Sequence, residues 1–445
     1  MPSGLLGTEK LSPAARRSVV AGCIGFAVDF FDIYLPVLAL APVIGYFEPK
    51  GLSATASTTI YFFTFAATLF GRPCGAVIFG HYADRIGRRR TTMISIAGFG
   101  AFTFLIACLP GDATLGVWSL VLLIVLRFID GVFMGGEYTS NNTLALEMVP
   151  KERRGFVGGI LQGAFPIGFA MVSGVTSFMF AVTTKAQYAE WGWRATFIFG
   201  AVLAFAFLLY YRTVPESPMW LASEKSEAPL KEVFSGHHFR NLAQVFLMML
   251  GFWFASQTPT ILPGIMIQQM HVSPQVTSNT FFVGSIILFF GFVGAGLLSQ
   301  IIGRRTAITL FGALILVGGT LLYYLLVRHT LGGGSQAGTV VITILFYVLV
   351  VSPWGIVTTY ISERFPTHVR ASGYGIGYSA AVIIPAFAGF YLLWLSAIIP
   401  YLFTPMALLM VAGGLIMAGA LLGPETRDVE LHVPDLGRPA PLAAE

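Results

Sequence analysis

Runs of about twenty apolar residues recur along this chain, separated by short polar joints, and this recurrence limits the fold more than any other feature. A hydrocarbon layer about 30 Å thick is crossed by roughly 20 residues of helix. In a chain this apolar, a helix is what satisfies the backbone away from water. Twelve spans are read, near 18–43, 59–79, 91–109, 118–146, 156–182, 195–211, 242–266, 277–298, 307–326, 339–362, 373–395 and 401–422. Mean hydropathy is +0.77 and charged residues make up 11% of the chain, against about 25% in ordinary soluble domains. A soluble enzyme and a disordered chain are both excluded, and an all-α membrane protein of twelve transmembrane helices is expected.

The cations set the orientation. Of 26 Lys and Arg, 20 lie in the termini or in the loops after even-numbered spans, which places both termini in the cytoplasm. The expected organisation is a cytoplasmic N-terminus (1–17), a six-helix bundle (18–211), a cytoplasmic linker (212–241), a second six-helix bundle (242–422) and a cytoplasmic tail (423–445), in the cell membrane. The net charge of +5 reflects this topology, because the basic residues flank apolar runs and form no patch with stacking aromatics. No nucleic-acid partner is expected; the lipid bilayer is. The first apolar run imitates a signal peptide, but it carries Asp29 and Asp32 and has Pro42 just beyond the apparent cleavage site, so it reads as a retained helix. Cys23, Cys74 and Cys108 fall within apolar stretches and read as small core residues. The histidines lack zinc spacing, and neither a metal site nor a catalytic constellation is read.

The halves are related. The stretch GHYADRIGRRRT from Gly80 aligns with GLLSQIIGRRT from Gly296, an offset of 216 residues. The same offset carries Glu147, Pro150 and Arg154 onto Glu363, Pro366 and Arg370. Two motifs sharing one offset indicate duplication. Two pseudo-symmetric bundles then imply a cavity between them near the midplane, opened alternately to either side.

Several motifs resemble those of the major facilitator superfamily: Asp84-Arg85-x-Gly87-Arg88-Arg89 after span two, Arg127-x3-Gly131-x3-Gly135 in span four, Pro215-Glu216-Ser217-Pro218 after span six and Pro424-Glu425-Thr426 after span twelve. Within it, DFFDIYLP, GRPCGAVIFGHYADRIGRRR and LRFIDGVFMGGEY are most similar to the metabolite:proton symporters, a branch with permeases for 2-oxoglutarate, citrate, shikimate and proline or betaine. The chain departs from that pattern at Asp130, where the branch has Gln, and its second loop motif has Gln300 where the first has Asp84. The resemblance implies secondary active import of a small organic acid by proton symport, with a proton as the coupling ion and no other cofactor, in a protein functional as a monomer. It also implies that Asp84, Arg88, Glu147, Arg154, Glu363 and Arg370 latch the cytoplasmic side.

Charges within the spans sharpen this. An ionised side chain at mid-membrane costs at least about 2.5 kcal/mol and needs a partner, water or a proton. Asp29 and Asp32 lie three apart on one face of span one. Arg127, Asp130, Glu137 and Asn141 form one stripe on span four. Arg72 lies roughly 18 Å above the cytoplasmic loop and Asp32 roughly 21 Å above the helix start, at about 1.5 Å per residue, so one mid-membrane constellation is feasible. Two arginines cannot neutralise four carboxylates, so some must carry or exchange protons. Asp32 is expected to pair with Arg127 when ionised and release it on protonation, as the sugar-porter branch similarly pairs a span-one Asp with this Arg. Asp29 is the understudy, and a static ion pair is the structural alternative. Asp130 and Glu137 complete the proton-coupling set.

Arg72 reads either as a cation for a substrate carboxylate, which its guanidinium fork suits, or as an arginine satisfied by Asp29 or backbone carbonyls. Arg127, Gln162, Trp253, Gln257, Trp354 and Tyr378 complete the expected binding set, with Ser285 and Ser379 as further polar candidates; for any one of them ordinary packing is the alternative. Pro36, Pro166, Pro259, Pro263, Pro353 and Pro385 can each kink or break a span. Gly373-x-Gly375-x-Gly377 reads as close helix packing. The separation of Gly163 from Pro166 disfavours drug export, since the drug antiporters carry an adjacent Gly-Pro in span five. A proton-independent facilitator, a proton-coupled exporter of another small metabolite and, in a different class, a transport-dead sensor or scaffold remain as alternatives. The segment after Arg427 reads as a disordered tail.

Overall fold

The computed structural model describes residues 11–49 and 54–431; most of the expected disordered tail lies outside the described residues. Helices α1 (Pro13–Leu40), α3 (Arg88–Cys108), α4 (Val117–Glu147), α5 (Lys151–Val182), α6 (Lys185–Tyr211) and α7 (Gly236–Gln268) are long and apolar enough to span, as are α9 (Arg304–Leu331), α10 (Gln336–Arg364), α11 (Thr367–Leu395) and α12 (Tyr401–Leu422). So is α8 (Pro274–Ile302). With α2 (Ala54–Ile86), which carries the expected span 59–79, they make twelve among the described residues. Large apolar side chains such as Phe178, Phe290, Val317 and Trp394 stand on the outer surface, where lipid replaces a protein core.

Contacts within the first half join α1 to α5, α2 to α4, and α3 to α4 and α6. Within the second, α7 packs on α12, α8 on α10 and α9 on α12. The halves meet along α5–α8, α5–α10 and α2–α11. The α2–α4 crossing is the one that positions charge. A Cβ on Gly131 or Gly135 would strike the backbone of Thr68 or Arg72, and one on Gly71 or Gly75 the backbone of α4. Small residues on both helices therefore let the backbones meet, which draws Arg72 onto α4.

The duplication is visible in atoms. Gly87 and Gly303 both take positive φ, 108° and 94°, a conformation open to glycine at little cost. Each turns the chain into the next helix, and an acid from a distant motif caps that helix. Glu216 accepts from the backbone N–H of Arg88 and Arg89 at 3.1 Å. Glu425 does the same for Arg304 and Arg305 at 2.7 and 3.1 Å. A carboxylate there meets unsatisfied N–H groups and the positive end of the helix dipole.

The prolines divide into two groups. Pro166, Pro259 and Pro263 sit inside unbroken helices. At Pro36 α1 changes to a π-helical turn over Pro36–Leu40, α10 breaks between Val351 and Trp354 around Pro353, and α11 passes through 3-10 turns at Ala380–Val382 and Pro385–Phe387. Gly375 in α11 lies against Ala76 and Thr139, a close approach between the halves.

Candidate functional site

The charged residues in the spans sort into two clusters. In the first, Arg127 on α4 places Nη1 3.1 Å from Asp32 Oδ2 and 3.0 Å from Asp130 Oδ2. Its Nη2 donates to the Asp32 carbonyl at 3.2 Å, and the Thr103 hydroxyl donates to Asp32 Oδ1 at 2.8 Å. All three charged residues are buried, and Asp130 Oδ1 has no hydrogen-bond partner among the described residues. In the second, Arg72 Nη2 meets Asp29 Oδ2 at 2.9 Å. The Arg72 guanidinium lies over the Tyr138 ring, 4.7 Å from its centroid. The Glu137 carboxylate accepts from Asn141 through Oε1 at 2.7 Å, and its Oε2 is unpartnered among the described residues. Gly25 on α1 leaves the space that Glu137 and Asn141 fill.

A cavity of about 290 Å³ lies between the halves, walled by Phe30, Tyr34 and Phe165 from the first and by Trp253, Trp354 and Tyr378 from the second. That volume is at the small end for ligand sites. Trp253 Nε1 donates to the Tyr378 carbonyl at 2.9 Å and Trp354 Nε1 to Ser256 at 2.8 Å, so both indoles are held by their polar ends. Gln162 reaches the wall and donates across the halves to Thr358 at 2.8 Å; Ser285 also lines the wall. Gln257 is half-buried and off the described wall, and Ser379 is buried with an unpartnered hydroxyl among the described residues. Arg72 and Arg127, both expected at the cavity, are not part of its described wall. A guanidinium in a dry bundle is drawn to the nearest carboxylate, and each arginine has one within reach. For Arg72 the geometry therefore takes the Asp29-satisfied form.

On the cytoplasmic side the halves are pinned together. Asp84 accepts from the backbone N–H of Ala371 and Ser372 at 3.1 and 2.9 Å and from the Ser372 hydroxyl at 2.7 Å. Arg88 pairs with Asp84 at 2.9 Å and Glu147 at 3.2 Å, and donates to the Thr367 carbonyl at 2.6 Å. Arg370 crosses to Glu147 at 2.6 Å, so it joins the first half's acid. Glu363 takes Arg304 at 3.3 Å and the Thr426 hydroxyl at 2.7 Å. Arg154 forms no ion pair within 4 Å among the described residues; it donates to the carbonyls of Val149 and Val429 at 3.3 and 2.8 Å. Sequence reasoning read Glu216 and Glu425 only as motif residues, without a capping role, and gave Arg304 and Ser372 no role, although the 216-residue offset maps Arg88 onto Arg304 and could have found it.

The Major Facilitator Superfamily profile matches residues 19–389. The chain is 30% identical over 443 residues to the inner membrane metabolite transport protein YhjE of Escherichia coli strain K12, covering 95% of this chain and 98% of that one. It is 28% identical over 377 residues to the alpha-ketoglutarate permease of the same strain, 83% and 85% covered. Among solved structures it is similar to the proton:xylose symporter XylE bound to 6-bromo-6-deoxy-D-glucose, with a TM-score of 0.77 at 19% identity, over 94% of this chain and 97% of that chain.

Proposed function

The chain belongs to the Major Facilitator Superfamily, in the branch of the metabolite permeases, and from that premise we propose that it imports a small organic acid together with protons. It is a multi-pass membrane transporter of metabolites and not an enzyme. The finer reading, proton symport of a carboxylate across the cell membrane by a monomer, is supported by one observation above all. Two carboxylates, Asp32 and Asp130, share a single guanidinium nitrogen of Arg127 in a buried site.

With both acids ionised, that site holds one uncompensated negative charge, and an isolated buried charge is costly. A proton restores neutrality, so the site takes one up and gives it back as water reaches it from one side or the other. Protonated Asp32 no longer binds Arg127 as an ion, and the tie between α1 and α4 weakens. Phe30 and Tyr34 on α1 wall the cavity, and the π-helical turn at Pro36–Leu40 is a local break in α1. A proton at Asp32 therefore biases the very helix that faces the ligand. The similarity to an alpha-ketoglutarate permease supports a carboxylate as cargo.

The test is uptake into proteoliposomes with an acidic exterior, using labelled 2-oxoglutarate, succinate and benzoate. Wild type accumulates at least one of them against its gradient, and Asp32→Asn accumulates none while still exchanging it. Undiminished accumulation by Asp32→Asn would reject the assignment, and indifference of the wild type to the proton gradient would reject symport.

A further inference from the structure

The Arg72–Asp29 pair takes no part in the coupling just described, although it stands beside the cavity. Arg72 is tied at 2.9 Å to Asp29 and stacked on Tyr138. The Tyr138 ring lies 5.1 Å from that of Tyr378, which forms the cavity wall. Phe30, the next residue after Asp29, is in the wall as well. No charged side chain lines the cavity itself among the described residues. An anion entering it therefore finds no free cation among the described residues: Arg72 is occupied by Asp29, and Arg127 is held by Asp32 and Asp130.

Resting on the symport reading, we propose that Asp29 is an internal stand-in for the substrate, and that the cargo is a monocarboxylate with a flat, apolar ring, whose carboxylate displaces Asp29 from Arg72 as Asp29 takes up a proton. Charges balance in this exchange. Ionised Asp29 on Arg72 is neutral; an added anion alone would leave one negative charge buried, and a proton on the displaced Asp29 carboxylate restores neutrality while the guanidinium passes to the ligand. Asp29 is faced by Arg72 from α2, by Asp130, Glu137 and Tyr138 from α4, by Tyr378 from α11 and by Asp32 on its own helix. Neither 155–182 of α5 nor 195–211 of α6 contains Asp, Glu, His, Lys or Arg. The other cation within these spans, Arg127, is already held by Asp32 and Asp130 and is not free to stand in for the proton.

The walls select the ring. Trp253, Trp354 and Tyr378 pack mutually edge to face, with centroids 4.7, 5.7 and 5.7 Å apart. These are contact distances for aromatic pairs, so no gap remains among the three to enclose a methylated ammonium. Facing them, Phe30 packs on Phe165 at 4.7 Å and Tyr34 on Phe169 at 4.9 Å, both edge to face. A flat ring gains aromatic contact from both halves. A dicarboxylate would bring its second charge against neutral, mostly aromatic side chains, where an unpaired carboxylate is heavily penalised.

The experiment is titration calorimetry of the purified full chain with benzoate, succinate and glycine betaine, in weak buffer with proton uptake recorded. Benzoate is expected to bind at least about tenfold more tightly than either competitor, with one proton taken up per molecule. Asp29→Asn is expected to bind benzoate without that proton, and more tightly than wild type at pH 8, because the stand-in is gone. Arg72→Gln is expected to weaken benzoate by about a hundredfold; if that variant does not fold, Asp29→Asn/Arg72→Gln, a neutral pair, replaces it. Tighter succinate or betaine, no binding by benzoate, or an unchanged proton count in Asp29→Asn overturns the proposal. An unchanged count in Asp29→Asn beside lost accumulation in Asp32→Asn leaves symport standing and removes only this exchange. Benzoate binding with proton uptake in a wild type that accumulates nothing removes symport instead.

Discussion

Asp84 and Gln300 hold equivalent places in the two halves, 216 residues apart, and the exchange of a carboxylate for an amide makes the cytoplasmic closure lopsided. Asp84 accepts three hydrogen bonds from the first residues of α11, whereas Gln300 accepts one from Gly155 at the start of α5, at 3.2 Å. Charged acceptors make the stronger bonds, so the α2–α11 seam is the firm side and the α5–α8 seam the soft one.

Asp84→Asn is therefore expected to favour the cytoplasm-open state. Hydrogen bonds to a charged group contribute about 1.5–3 kcal/mol each, and losing even one shifts a two-state balance by about tenfold or more. Gln300→Asp should act in the opposite direction. Electron-electron resonance distances across the cytoplasmic face would read both, and an unmoved distribution in Asp84→Asn would exclude a latch role.

Asp130→Asn tests the shared arginine from its other partner. With one acid left, Asp32 and Arg127 form a balanced pair that has less need of a proton. The uptake rate should then lose much of its dependence on external acidity between pH 5 and 8, with binding retained. A pH profile matching that of wild type would show that Asp130 is only a spacer.

Gly135→Val should damage the α2–α4 crossing, because the added atoms meet the Arg72 backbone. Overpacking typically costs about 1–3 kcal/mol, and here it also displaces Arg72 from Asp29. Thermal unfolding in detergent should fall by several degrees, and an unchanged midpoint would mean that the helices separate without penalty.

Glu216→Gln and Glu425→Gln each remove the charge from a helix cap. A cap contributes typically about 1 kcal/mol, and because the two lie in different halves the double variant should lose the sum of the single effects. Unfolding midpoints of the two singles and the double give the comparison; strong non-additivity would mean that the caps communicate across the halves.

Much of the architecture was legible before any coordinates. The spans follow from the length of the apolar runs, the orientation from the placement of cations, and the duplication from one shared offset. The cytoplasmic contacts between the halves were legible in part: Asp84, Arg88 and Glu147 were named, while Arg304 was passed over and Arg154 was expected to meet an acid. A loop motif marks which residues are near the interface, but which acid a guanidinium reaches depends on the seating of the opposite half, and Arg154 ends on two carbonyls.

The sequence by itself indicated that Arg72 and Asp32 lie at similar depths in the bilayer, so that one mid-membrane constellation was feasible, because rise per residue is a property of a single helix. Tertiary structure alone decided which of its two readings Arg72 takes, that Asp130 shares Arg127 with the expected Asp32, and that neither arginine is part of the described aromatic wall. Residues three apart on α1 can reach either neighbour, and the choice depends on how far α2 and α4 approach and at what rotation. Glycines on the two helices set that approach through contacts made only when the helices meet.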